Sequence, residues 1–433
     1  MLRLARQFEE YAAMLAEALG HADRVAPFRD YCTGLMLSGE RKSVEPMAAR
    51  VSPTRVSSAH QSLHHFVADA DWSDAALMSR VRDRVLPRMS RQEPIEAWIL
   101  DDTGYPKKGT HSVGVARQYC GQLGKQDNCQ VAVTLSVANE LASLPIAYRL
   151  YLPKDWARDA KPRKKARVPK EVRFATKGAI ALSQIEQAIA EGVPPGVVLA
   201  DAGYGTDSKF RQRLSDLGLR YAVGIVSTTS VWPEGKGPLA PKAWAGRGRR
   251  PKLLRRDAKH KPVSVKSLAE ALPKQQWRHV TWRQGTEGEL SSRFARLRVR
   301  PAHHDYWRAQ PWPEQWLLVE WPSAAPEPSK YWLSTLAEDT PMAELVRITK
   351  LRWRIERDYQ ELKQELGLGH FEGRGWRGFH HHATLCIAAY GFLVAQRAAI
   401  EARSKKNRVA WFKVPALPAH FRPRGSPEPR PAA

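Results

Sequence analysis

The chain has 433 residues, with 69 Lys and Arg against 44 Asp and Glu, a formal charge of +25 and a pI near 10.1. That length accommodates two or three domains and a large core, and the charge favours a polyanionic partner, because a positive surface binds phosphate with release of its counterions. The four cysteines (Cys32, Cys120, Cys129, Cys386) form no C-x-x-C pair and no zinc spacing, which fits reduced, half-buried thiols in a cytosolic protein.

The opening MLRLARQFEEYAAML reads as an amphipathic helix without an uninterrupted apolar core, so no signal peptide is expected. Helical periodicity continues through FEEYAAMLAEAL, SLHHFVADA and DAALMSRVRDRVL, giving a helical N-terminal domain over residues 1–88. Between these helices a basic turn, GERKSVEPMAARV, brings Arg41, Lys42, Arg50 and Arg55 close together in sequence, as a structural cap or as a DNA contact. Residues 89–227 carry three strand patterns, EAWIL, NCQVAVTLSVAN and ASLPIAYRLYL. An exposed basic loop, KDWARDAKPRKKARVPK, comes next. It is followed by the helix TKGAIALSQIEQAIAEG, the buried strand GVVLA, the helix SKFRQRLSDLG and the strand YAVGIV. That order predicts a mixed α/β sheet covered on both faces.

Residues 228–335 open with the polar, basic run GRGRRPKLLRRDAKHK and continue as strand-like WRHVTWRQ, SSRFARLRVRPA, QWLLVEW and KYWLSTL. Nine of the 15 tryptophans fall here, which indicates a packed β-rich insertion rather than a linker. Helices resume over 336–408 with PMAELVRITKLRWRIERDYQELKQEL and HHHATLCIAAYGFLVAQRAAIEA; the Pro/Arg-rich tail, 409–433, is expected to be disordered. The longest apolar stretch, Ala383 to Ile400, is interrupted by Tyr390, Gln396 and Arg397 and suits a buried helix better than a membrane span.

Three acidic residues have settings that suit catalysis. Asp101 follows the apolar run AWIL and opens DDTGYPKKG; Asp201 follows VVLA and opens DAGYG; Glu356 lies in the helical segment LRWRIERDYQELK. Two-metal phosphodiester cleavage needs carboxylates that hold divalent ions about 4 Å apart. Hard oxygen donors select Mg²⁺, with Mn²⁺ able to substitute, over zinc. Each residue alone also has a plain reading: Asp201 as a helix N-cap, Asp101 as a turn residue, Glu356 as a solvated helical glutamate. On a continuous helix Thr349, Arg352, Glu356 and Lys363 fall within roughly 60° of one another, so two cations flank the carboxylate, either holding DNA phosphates or forming surface ion pairs.

The segments DDTGYPKKGTHSVGVARQYCGQLGKQDNCQVAV, LADAGYG and RWRIERDYQELKQELGLGHFEGRGWRGFHHH resemble the DDE transposases of bacterial insertion sequences, in particular the insertion-sequence 701 family, related to the group with a Y-R-E-K signature. The resemblance covers most of the chain from about 30 to 400. It implies a ribonuclease H-like core with the catalytic, metal-holding triad on Asp101, Asp201 and Glu356. Asp101 is preferred to Asp102 because DDT then fits the D-x-T pattern of the relatives. Arg352 and Lys363 match the signature arginine and lysine; the signature tyrosine would fall at Thr349, and Tyr359 is the candidate to replace it in gripping DNA. The resemblance also implies that the insertion helps hold distorted transposon ends.

Other candidate DNA contacts are Lys107 and Lys108 in the Gly104–Gly109 turn, and Arg247, Arg249 and Arg250 in a loop that resembles a minor-groove arm without its usual proline. Trp277, Trp282 and Trp307 are candidates to stack on an unpaired base. For the three adjacent histidines, His380, His381 and His382, packing and a phosphate contact are expected rather than metal binding. The whole predicts a cytoplasmic, nucleoid-associated bacterial transposase. It would cut transposon terminal inverted repeats and transfer strands into target double-stranded DNA, acting as a homodimer on DNA with no membrane partner. The alternative is a non-catalytic DNA-binding repressor or bridging protein descended from one.

Overall fold

The computed structural model describes residues 2–91, 93–285 and 288–406. Five helices come first: α1 (Leu2–Ala16), α2 (Val25–Met36), α3 (Val44–Val51), α4 (Val56–Ala68) and α5 (Asp74–Ser90). Apolar residues at helical spacing bury Phe8, Leu15, Phe28, Leu35, Leu77 and Val81. The segment read as a basic turn contains α3, because Pro46 sits in its first turn, where no backbone N–H is needed.

Four strands follow: β1 (Ala97–Pro106), β2 (Ala116–Cys120), β3 (Lys125–Ala138) and β4 (Ser143–Leu150). Next in order are α6 (Lys154–Arg158), α7 (Ala160–Lys165), α8 (Lys177–Ala190), β5 (Val197–Ala200), α9 (Ala202–Gly205), α10 (Ser208–Asp216) and β6 (Tyr221–Ile225). The tryptophan-rich stretch forms β7 (Ser230–Pro233), β8 (Val263–Ser264), α11 (Val265–Glu270), β9 (Arg278–Gln284), β10 (Glu289–Pro301), β11 (Gln315–Trp321) and β12 (Lys330–Ser334). Three helices close the described chain: α12 (Met342–Lys350), α13 (Trp353–Gln364) and α14 (Trp376–Lys406).

The chain forms two compact units. The first takes the described residues up to Ile95, Asp101–Gly192 and those from Trp353 on. Its strands run in the order β2-β3-β1, and β4 also pairs with β3, along Ala132–Ala138, through pairs such as Thr134↔Tyr148. Helix α14 is its central rod, packed on α2, α4, α5 and β4. Among the described residues it is the one helix long and apolar enough to cross a membrane, yet 72% of that stretch is buried in the protein, as a core helix requires.

The second unit takes Glu96–Leu100 and Val193–Arg352. Here the first residues of β1 pair in parallel with β5, and β5 with β6. Strand β12 adds antiparallel to β6, followed by β11, β10, β7 and β8, with β9 also on β10. The β-rich stretch therefore extends the sheet begun by the parallel strands. Its tryptophans are largely structural: Trp316 joins a core of Phe294, Leu318, Leu345 and Val346, with Trp282 and Trp332 packed against it. Trp232 is buried and donates through Nε1 to the fully buried Asp305, 2.7 Å away, which also receives Arg256.

Two expectations need correction. The segment read as an exposed basic loop contains two short helices, α6 and α7, and the turn after them buries Ala166 and Val168. The segment from Pro341 to Leu366 is not one helix but α12 and α13, separated at Leu351–Arg352. There the Leu351 N–H is shared between Arg347 O and Ile348 O, both at 3.1 Å. The buried residues of α12 and α13 would be offset by roughly a third of a turn on a straight helix, so no straight helix buries both sets. The expected disordered tail, 409–433, lies outside the described residues.

Candidate active site

Strand β1 begins with Ala97, Trp98, Ile99 and Leu100, all fully buried, and Trp98 Nε1 donates to Pro194 O at 2.8 Å. The strand continues through both aspartates to Pro106, so Asp101 is held mid-strand rather than at a strand end. Adjacent strand residues face opposite ways, which separates the two carboxylates. Asp102 forms an ion pair with Lys177, the first residue of α8, whereas Asp101 Oδ1 accepts from the Asp102 N–H at 2.8 Å.

Asp201 follows β5 directly. It is indeed the N-cap of α9: its Oδ1 accepts from Gly203 N at 2.9 Å, which fixes the carboxylate rotamer. Gly205 of DAGYG and Gly224 of β6 have a steric reason. A Cβ on Gly205 would lie 2.1 Å from Gly224 O and 2.7 Å from Val223 Cβ, and one on Gly224 would lie 2.9 Å from Ala202 N. Helix α9 thus rests on the backbone of β6, and Asp201 is placed by that contact. In the β1–β5 register Ile99 pairs with Leu199. Asp101 follows the first by two residues and Asp201 follows the second by the same two.

Glu356 occupies the first turn of α13, a helix fixed by three anchors distant in sequence. Arg354 Nη1 donates to Leu141 O at 3.1 Å. Asp358, fully buried, accepts from Ser136 Oγ at 3.1 Å, Ser143 Oγ at 2.5 Å and Tyr390 OH at 2.8 Å; burial raises its carboxyl to about 6 although the three hydroxyls oppose that shift. Lys363 Nζ donates to Gly104 O on β1 at 2.8 Å and to Gln122 Oε1 at 3.1 Å, and burial lowers it to about 8. Lys363 therefore ties the helix of Glu356 to the strand of Asp101.

The remaining predicted residues separate clearly. Thr349 is buried on α12, where its hydroxyl donates to Leu345 O, and Arg352 lies in the turn, so neither shares a helix face with Glu356 and Lys363. Tyr359 is buried on α13. Lys107 donates to Phe371 O at 2.8 Å and is lowered by burial, while Lys108 is exposed. Arg247, Arg249 and Arg250 are exposed in a loop shaped by left-handed Gly246 (φ 84) and Gly248 (φ 73) and clipped by Trp244 Nε1 to Gly248 O at 3.1 Å. Among the candidate stacking residues, Trp307 is 62% exposed and lies parallel to His304 at 4.1 Å, while Trp282 packs edge-on against Phe294 and Trp277 against Trp321.

In the N-terminal basic cluster, Lys42 is buried and donates to Leu37 O at 2.7 Å, Arg50 to Arg41 O at 2.7 Å, and Arg41 pairs with Glu372. His380, His381 and His382 are all buried and contact Trp376 O, Val67 O, Trp72 O and Gly367 O, so they pack and do not meet phosphate. Among the described residues no three His, Cys, Asp or Glu side chains are close enough to hold a metal ion. Asp101 and Glu356 belong to the first unit and Asp201 to the second. By chemistry the three carboxylates are an all-oxygen donor set, which suits a hard divalent cation.

The model of the DDE superfamily endonuclease family matches residues 14–289, and the chain belongs to that family. The matched range includes Asp101 and Asp201 and ends before Glu356. The chain is also similar to a probable transposase for insertion sequence element IS701 from Microchaete diplosiphon, with 33% identity over 172 residues. That similarity takes in 40% of this chain and 42% of the relative's length.

Proposed function

We propose that this protein is a DNA transposase with a ribonuclease H-like core, in which Asp101, Asp201 and Glu356 are the catalytic, metal-holding carboxylates. The observation that carries the reading is that Asp101 on β1 and Asp201 directly after β5 both lie inside the range matched to the endonuclease family. Bound Mg²⁺, or Mn²⁺ in its place, supplies Lewis-acid chemistry at the phosphodiester. The chain's own contribution is placement: the Asp201 rotamer is fixed by Gly203 N–H, Asp102 is held by Lys177, and Glu356 rides on a helix anchored at three points. Cleavage at the transposon's terminal inverted repeats is followed by strand transfer into target DNA, with two copies of the chain joining two ends. Exposed Lys108, Arg247, Arg249 and Arg250 contact phosphate; the helical segment 1–88 and the β-rich segment 228–335 contribute to end recognition.

The test is incubation of purified protein with DNA carrying the element's own ends and Mg²⁺, wild type beside Glu356→Ala. End-specific cutting that disappears in the variant is expected. Equal binding by both proteins, with no cutting by either in Mg²⁺ or Mn²⁺, would instead indicate a non-catalytic DNA-binding protein.

A further inference from the structure

Residues 154–173 carry nine Lys and Arg against three Asp and Glu, and none of the candidate phosphate contacts above lies among them. Far from a loose loop, the segment is seated at several points. Trp156 Nε1 donates to Val115 O at 2.8 Å, and the Trp376 N–H donates to Ala166 O at 2.8 Å. Ala166 and Val168 are buried, Arg163 donates to Pro169 O at 3.0 Å, and Asp159 caps α7 through Lys161 N. Arg158, Lys161, Lys164, Lys165, Lys170 and Arg173 remain exposed, and none of these six side chains has a hydrogen bond or ion pair among the described residues. Unpaired cations on an ordered seat repel one another unless counterions or a polyanion neutralise them.

The position of this seat also matters. The segment leads directly into α8, whose Lys177 pairs with Asp102 on the strand of Asp101. It leans on Val115, and Val113 N–H donates to Arg374 O at 3.0 Å, so the turn that carries exposed Lys108 shares the same support. We infer that the α6–α7 segment is a second nucleic-acid surface that binds the phosphate backbone of duplex DNA entering beside the catalytic strand. Lysine predominates, and an ammonium is a point charge suited to phosphate rather than to reading base edges, so the surface recognises DNA without regard to sequence. The inference rests on the transposase reading for the identity of its ligand.

The experiment compares wild type with Lys161→Gln/Lys164→Gln/Lys165→Gln, and with the Glu variant at the same three positions, using random-sequence duplex DNA across a series of salt concentrations. All three side chains are exposed and unpaired, so the melting temperature should not move. For the Gln variant the slope of log affinity against log salt should fall by about 2.7, at about 0.9 for each phosphate that is no longer neutralised. The Glu variant should fall at least as far. An unchanged slope in a folded variant would make the segment a merely solvated face, and weakened binding to anionic phospholipid vesicles with DNA binding intact would assign the surface to membranes; either overturns the inference. Wild type and Glu356→Ala in the cutting assay judge the transposase reading separately, because Glu356→Ala leaves the three lysines in place.

Discussion

Asp201 and Glu356 are positioned by opposite strategies. Asp201 depends on its immediate neighbours: it caps the helix that follows, and Gly205 and Gly224 let that helix touch the next strand. Glu356 depends on residues far away in sequence, since α13 is held by Leu141, by Ser136, Ser143 and Tyr390, and by Gly104. The first arrangement is steric and tolerates nothing larger than hydrogen. The second is polar, distributed over several bonds, and open to graded change.

The largest effect should come from breaking the steric arrangement. Gly205→Ala places a Cβ 2.1 Å from the backbone oxygen of Gly224 and 2.7 Å from Val223 Cβ, so backbone must shift to admit it. A loss of more than about 4 kcal/mol is expected, beyond the usual range for a point substitution. Urea denaturation checks it, and a loss within about 1 kcal/mol would show that α9 can lift from β6.

Next comes the polar arrangement. Asp358→Leu leaves three buried hydroxyls without their acceptor and should cost about 3 kcal/mol or more. Asp358→Asn should stay within about 1 kcal/mol, because its Oδ1 still accepts from Ser143 and Tyr390 and its amide can donate to Ser136. DNA cutting should follow the same order. If Leu and Asn behaved alike in melting and in cutting, the hydroxyl cluster would not be what holds Glu356.

A third effect sharpens the contrast through pH. The turn after α13 is held by His382, whose Nε2 faces Gly367 O at 3.0 Å and whose Nδ1 meets Tyr31 OH at 2.9 Å. Burial lowers both His381 and His382 to about 4. Their folded values lie below the unfolded value near 6.5, so the unfolded chain binds more protons. The stability they contribute is present above about pH 6.5 and is lost as pH falls toward 4, by up to about 3 kcal/mol for each. Unfolding free energies measured from about pH 7.5 to 4 should decline by the loss from the two histidines less the gain as buried Asp358 takes up its proton below about pH 6, and less steeply in His382→Gln; a flat profile would contradict it.

The same contrast decides what the sequence discloses. Apolar runs and β-branched alternation make β1, β3, β4, β5 and β6 legible, and Asp201 can be read as a cap from its neighbours alone. Strand β2 is not legible, because ARQYC is short and polar and pairs only through β3. The break between α12 and α13 leaves no glycine or proline to mark it; it arises because the two halves bury different faces. Nor does sequence distinguish Lys107 and Lys363 from phosphate-binding lysines, since the carbonyls they meet are 264 and 259 residues away. A cation's local setting says that it is charged, and only the fold says whether a carbonyl already holds it.

The smallest effect tests that last point on adjacent residues. Lys107→Gln removes a donor from Phe371 O and should cost about 1 kcal/mol, while Lys108→Gln, at an exposed position, should stay within about 0.5 kcal/mol. DNA binding should reverse the order. Lys108→Gln should lower the salt slope by about 0.9, the share of one phosphate, and Lys107→Gln should leave it unchanged. Equal slopes for the two variants would mean that Lys107 leaves its carbonyl to meet DNA, and the line drawn between cations that hold the fold and cations that hold the substrate would have to move.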